Sequence, residues 1–300
     1  MSSVISTNMA SLVAQRNLST AQSALTTSVE RLSSGLRINR AKDDAAGLGI
    51  SQTLQAQVGS IRQASRNAND AISVVQAAEG GMTEIGSMLQ RMKELVVQGK
   101  NDSLSTDQKG FIKDEISSLA TEITKVTART TFNGNKLLAG VTGDALTFQV
   151  GAKTDDTAVI KTESDFSAEG LKSGAGTPTS LTEKITNLTS ALGAYDATSS
   201  TTVTALATAW TSLSDGVDSA INTISSGRAA FGTMQSRLDH NIANLSTQSE
   251  NLDAARSRIQ DTDYASETAN LTKGQIMQQA ATAMLSQANQ MPNVVLSLLK

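Results

Sequence analysis

From Val203 to Ile259 a large apolar residue returns at every seventh position: Val203, Trp210, Val217, Ile224, Phe231, Leu238, Leu245, Leu252 and Ile259. No proline interrupts the run. As one helix it would extend about 85 Å at about 1.5 Å per residue, far beyond an ordinary globular helix. A strict seven-residue stripe drifts by about 20° per heptad on a straight helix, so it stays buried only where helices wrap around one another. The positions between are mostly Ala, Ser, Thr, Asn, Gln and charges, which makes a seam and not a helix apolar all round. Such a rod needs a partner.

A matching seam lies earlier in the chain, at Leu54, Ile61, Ala68, Val75, Met82, Leu89 and Val96. Gly99 to Ser105 supplies its stop. Ser105 and Gln108 then resemble a capping box that opens a third helix, whose Ile112, Ile116, Leu119, Ile123 and Val126 follow the 4-3-4-3 spacing of one buried face. The chain begins with a thinner stripe, Leu18, Leu25 and Leu32, on a helix expected from Met9 to Leu36 and capped near Gly35. That helix is marginal alone, because ordering costs about 1–2 kcal/mol per residue and its own burial is small. A second polar break is expected at Asp43 to Gly49.

After Arg129 the period changes. Phe132, Asn133 and Gly134 signal a turn, Leu146–Val150 and Ala158–Thr162 read as the strands of a β-hairpin, and residues 163–202 read as a surface insertion with one short helix near Leu181–Leu192. A last amphipathic segment from Leu271 to Leu299 carries Ile276, Met284, Leu285, Leu296, Leu298 and Leu299. The fold class is mainly α: a long antiparallel coiled-coil-like helical bundle with a small β-hairpin region and a variable surface insertion. The expected organisation is a terminal helix at 1–41 pairing with 264–300, a bundle at 42–140, the hairpin and insertion at 141–202, and the long helix at 203–263. An unpartnered amphipathic helix at each end favours self-assembly, and a heterologous contact that does not close gives an open filament.

Composition excludes several classes. There is no Cys and one His, so thiolate chemistry, a disulfide framework and a His-rich metal site are ruled out. His240 flanks the long seam and reads as a surface or seam residue. Paired Asp43 and Asp44 have no ligand partner nearby in sequence and read as a salt-bridged turn. No catalytic residue, cofactor or metal is expected, so the chain reads as a structural protein and not an enzyme. A net charge of −3 gives no basic footprint for nucleic acid. No apolar run reaches the roughly 18–20 residues that span a bilayer, so no membrane partner is expected, and Met1 to Ser11 lacks the pattern of a cleavable secretory signal.

Two blocks carry a family resemblance. The first is Leu32 to Asn39 followed by Ala41 to Gly47; the second is Glu250 to Leu252, Ala255, Ser257 to Ile259, Asp261, Asp263, Gln287 to Gln290 and Pro292. With these blocks the chain resembles bacterial flagellin over about 1–140 and 203–300. The resemblance implies an inner core made by the two terminal helices (Leu18, Leu25, Leu32, Ile276, Met284, Leu285, Leu296, Leu298, Leu299) and an outer-core seam (Leu54, Ile61, Val75, Leu89 with Val217, Ile224, Phe231, Leu238, Leu245, Leu252, Ile259). It implies a homopolymer with other flagellin subunits, export from the cytoplasm through the flagellar type III apparatus, and a final place in the extracellular flagellar filament. The implied partners are a secretion chaperone at the C-terminal segment, the filament cap and hook-filament junction proteins, and a host Toll-like receptor. For that receptor and for inter-subunit contact it implies Arg91, Leu95 and Glu115. A hook-filament junction protein shares the terminal helices and is the alternative, with a cytoplasmic coiled-coil adaptor behind it.

Overall fold

The computed structural model describes residues 8–139, 146–153, 156–160, 166–173, 179–196 and 199–298. Its helices are α1 (Met9–Ser34), α2 (Ala45–Gly99), α3 (Thr106–Arg129), α4 (Leu181–Gly193), α5 (Ser200–Gln260) and α6 (Tyr264–Leu298). The chain divides into two compact units, Ser60–Thr247 and Met1–Gly59 with Gln248–Lys300, and α2 and α5 each run through both.

Within Ser60–Thr247, α2 and α5 meet antiparallel. Gly99 lies against the ring of Trp210, Lys93 pairs with Asp218, Gly86 approaches Ile224, and Glu79 pairs with Arg228. As one residue number falls the other rises in step, which is the signature of an antiparallel seam. Ile61, Ala68, Val75, Met82, Leu89 and Val96 are buried on α2, and Trp210, Val217, Ile224, Phe231, Leu238 and Leu245 on α5. A companion stripe on α2, Ala64, Ala71, Ala78, Ile85 and Met92, is also buried, so this helix presents two adjacent apolar rows. α3 closes the bundle with Ile112, Ile116 and Ile123, while Leu119 and Val126 are half-buried. Its start carries the expected capping box: Gln108 N–H donates to Ser105 Oγ, and Ser105 N–H donates to Gln108 Oε1.

The α5 stripe fades at its start. Val203 is 42% exposed, because Gly99, the last residue of α2, already faces Trp210 and nothing of α2 remains to cover the preceding heptad. In the other unit Leu54, Leu252 and Ile259 are half-buried. The polar break ends earlier than Gly49: α2 begins at Ala45, helped by Asp44, whose Oδ1 accepts the Gly47 N–H at 2.8 Å.

Among the described residues between α3 and α4 lie three antiparallel two-stranded pairs. β1 (Thr131–Phe132) and β2 (Asn135–Lys136) flank the Asn133–Gly134 turn, where both residues have positive φ. β3 (Leu146–Gln149) pairs with β4 (Thr157–Ile160), Leu146 opposite Ile160 and Gln149 opposite Thr157. The Gln149 side-chain amide donates into the hairpin loop, to the carbonyls of Gly151 at 3.0 Å, Asp156 at 3.2 Å and Lys153, and Asn67 Nδ2 donates to Gln149 O at 2.8 Å. β5 (Lys172–Ser173) pairs with β6 (Thr179–Ser180) just before α4. Thr162 and Pro178 lie outside the described residues. The insertion is surface-facing only in part, because its Phe166, Ala168, Leu171, Leu181, Ile185 and Leu188 join the same core as α2 and α5.

Candidate assembly site

In the unit containing both chain ends, α1 packs antiparallel on α6. Along α1 the residues turned inward are Ala14, Ala21 and Ser28, buried, alternating with Leu18, Leu25 and Leu32, half-buried. On α6, Glu267, Gly274, Ala281 and Ala288 are buried and alternate with half-buried Leu271, Gln278 and Leu285. At one end Asn8 Nδ2 donates to Ala288 O at 2.8 Å and Ser11 Oγ to Asn289 Oδ1 at 2.9 Å. Halfway along, Gly274 approaches Leu25, and at the other end Arg31 Nη1 stands 3.7 Å from Glu267 Oε2.

Beyond that ion pair the chain turns sharply. Gly35, at φ 72°, ends α1 and donates its N–H to Arg31 O at 2.9 Å, with the Tyr264 hydroxyl packed where a side chain would stand. A short backbone clasp follows: Leu36 bridges Asp261, Arg37 N–H donates to Gln260 O at 2.7 Å, and Thr262 N–H donates to Gly35 O at 3.0 Å. Asp43 then gathers the turn by accepting from the N–H groups of Asn39 and Arg40. The Arg40 N–H, together with that of Asn39 and the nearby cations, holds the exposed Asp43 carboxyl below its ordinary pKa.

This seam is weakly driven. Burial yields about 0.8 kcal/mol per CH₂, so an Ala, Ser or Gly row contributes far less than the about 1.5–3 kcal/mol of each fully buried Val, Leu or Ile. Meanwhile large apolar side chains of the same helices face outward. Met9 is 65%, Met277 51% and Met284 64% exposed, and with Val13 they border an apolar groove of about 550 Å³ between α1 and α6. A second groove of about 590 Å³ shares Asn17 and Met277 with it and carries polar walls from Thr20 to Arg31 and Glu267. The sequence placed Ile276 and Met284 among the terminal-helix residues, and both are exposed, at 60% and 64%. Leu18, Leu25, Leu32 and Leu285 line the seam; Leu296 and Leu298 fall on the last turns of α6, and Leu299 lies outside the described residues. Met9, Val13 and Met277 were missed. They lie off the seven-residue stripe, and the signal that could have found them is a second apolar row beside the first.

A second surface lies on α2 and α3. Arg91 Nη2 meets Glu115 Oε1 at 3.0 Å and Nη1 meets Glu94 Oε2 at 3.1 Å, and the hydrogen bonds it donates to the Glu94 and Glu115 carboxylates push the exposed guanidinium's pKa up. Leu95 does not share this surface. It is 2% exposed and belongs to the core, because it falls on the face of α2 turned inward. Phe111, one helical turn before Glu115, is 73% exposed instead and was not anticipated. Among the described residues no group of His, Asp and Glu could hold a metal ion, and no helix is long and apolar enough to cross a membrane.

Residues 5–142 match the bacterial flagellin N-terminal helical region and residues 214–299 the bacterial flagellin C-terminal helical region. The chain is 41% identical to a flagellin of Halalkalibacterium halodurans, covering 99% of this chain and 100% of that one, and 42% identical to a flagellin of Bacillus subtilis, covering 99% of each. This chain belongs to the bacterial flagellin family. As a flagellin it is a structural subunit of the bacterial flagellar filament, and the helical fold expected from the sequence is the one found. A Vibrio parahaemolyticus protein assigned as flagellar hook-associated shares the fold, with a TM-score of 0.61 at 14% identity over 73% of this chain and 100% of that one.

Proposed function

We propose that this flagellin polymerises through α1 and α6 while the α2–α3–α5 bundle serves as the stiff outer strut of each subunit. The observation that carries the reading is the contrast along one seven-residue period: the α2–α5 seam fully buries large side chains, whereas the α1–α6 seam fully buries mainly Ala, Ser and Gly, only half-buries its leucines, and leaves Met9, Val13, Met277 and Met284 around an open groove. A neighbouring copy supplies the missing burial. On this reading residues 1–41 and 264–300 form the inner core, 42–140 and 203–263 the outer core, and 141–202 the variable region.

The chain leaves the cytoplasm unfolded through the flagellar type III apparatus. A secretion chaperone holds the C-terminal segment until then, and subunits add beneath the cap protein on a filament joined to the hook by junction proteins. The exposed Arg91–Glu115 pair lies on a surface used for inter-subunit contact and, in free monomers, for a host flagellin-sensing Toll-like receptor. Removal of residues 1–41 or 264–300 is expected to leave a soluble helical monomer that does not polymerise when seeded, as judged by electron microscopy. Filament growth by both truncated forms would sink the proposal.

A further inference from the structure

We infer that the pair formed by Arg31 with the buried carboxylate of Glu267 selects one register of α1 against α6 from several that the remaining seam would accept. The seam repeats itself. Ala14, Ala21 and Ser28 recur by seven on α1, as do Gly274, Ala281 and Ala288 on α6, each row alternating with larger side chains. Leu25 sits on Gly274, and sliding one helix past the other by seven residues sets larger side chains on small positions again, so shape alone discriminates poorly between registers.

Glu267 breaks the repeat. It occupies the first of the α6 small positions, with its side chain only 10% exposed, and its cation is Arg31. The Arg31 Nε is buried without a hydrogen-bond partner among the described residues, and Glu267 is the α6 carboxylate that its Nη1 meets. A slide of seven residues one way brings Glu267 toward Ala24, which offers no charge, and carries Arg31 past the start of α6 toward Gln260; the other way leaves Arg31 opposite Gly274 and carries Glu267 past the end of α1. Each slipped register therefore leaves one of the two charges in the seam without the other, and a carboxylate held there unpaired is costlier than the pair is favourable. A single polar position in an otherwise repetitive seam is a known means of fixing register at some cost in stability. The backbone clasp at Leu36 and Asp261 is the competing holder of the register.

The inference deepens the assembly reading, yet its readout is which residues face each other and not whether filaments form. The chain has no Cys, so paired cysteines report contacts without background. In the otherwise native full chain, Ser11→Cys with Asn289→Cys is expected to cross-link within one molecule on oxidation, while Ser11→Cys with Thr282→Cys, one heptad away, is not. Both pairs are tested on free chains and on seeded filaments, with intrachain and interchain products separated on a non-reducing denaturing gel. In an Arg31→Met/Glu267→Met background the slipped pair is expected to rise to a yield comparable with the native one. The exchange Arg31→Glu/Glu267→Arg is expected to restore native-only linkage. Native-only linkage in the Met/Met chain assigns the register to the clasp and overturns the inference, as does failure of the native pair to link in the otherwise native chain. If the Met/Met chain does not pair its helices at all, recovery in the exchanged chain supports the inference and failure there overturns it. Linkage in free chains that never form filaments defeats the assembly proposal alone.

Discussion

The α2–α5 seam and the α1–α6 seam are both antiparallel and both run on a seven-residue period, but they hold different side chains. In the first, Val75, Met82, Leu89 and Val96 meet Trp210, Val217, Ile224 and Phe231, and each of these is nearly or fully buried. In the second, Ala14, Ala21 and Ser28 on α1 and Gly274, Ala281 and Ala288 on α6 are the buried positions, the leucines set against them such as Leu25 on Gly274 are only half-buried, and Met9, Val13, Met277 and Met284 look away. Period decides that two helices can wrap. Side-chain volume decides how much association is left for other molecules, and here one seam is self-sufficient while the other is incomplete.

The largest effect expected from testing this contrast is at Trp210. Trp210→Ala should cost about 3–5 kcal/mol of the α2–α3–α5 bundle's stability, read as a lower denaturant midpoint. Leu18→Ala, at a half-buried site of the weaker seam, should leave that midpoint nearly unchanged and slow filament growth instead. Equal losses of midpoint from the two would erase the distinction between the seams. Gly99→Ala comes next: its new Cβ would overlap the Trp210 ring, and overpacking of this kind costs about 1–3 kcal/mol, to be seen in thermal melting. Ser105→Ala removes one half of the capping box and should cost about 1 kcal/mol, visible as fraying of α3 in amide exchange.

A smaller effect is expected in acid. Because the folded Asp43 carboxyl has a lowered pKa, its contribution is complete above the ordinary aspartate pKa and is lost as pH falls through the lower folded value. Amide exchange at Asn39 and Arg40, corrected for intrinsic rates, should accelerate across that acidic window, and Asp43→Asn should flatten the dependence. The smallest change belongs to Arg91→Ala. Its ion pairs are solvent-exposed, so melting should not shift, whereas an inter-subunit role for this surface predicts slower elongation of seeded filaments.

Much of this architecture was readable in advance because heptad spacing survives without any knowledge of contacts. The stripes at Ile61 to Val96 and Trp210 to Leu245, the capping box at Ser105 and the cap at Gly35 are local patterns with one physical solution. What stayed hidden depends on register or on distant partners. Leu95 could be placed on a surface by resemblance, but its burial follows from which side of α2 is covered. Phe166, Leu171 and Leu188 lie in a stretch rich in Ser, Thr and Gly, and composition masked their part in the core. Arg31 and Glu267 are 236 residues apart, so only the antiparallel pairing of α1 with α6 reveals them as partners.

The single Trp of the chain is 1% exposed and sits against Gly99 inside the α2–α3–α5 bundle. Indole emission, excited selectively away from the tyrosines, is therefore a built-in gauge of one seam only. Opening of that bundle will shift its emission toward the red. Ordering or fraying of the terminal helices will pass unseen by that signal, so far-ultraviolet dichroism and indole emission, recorded together, separate the two processes in an unlabelled sample.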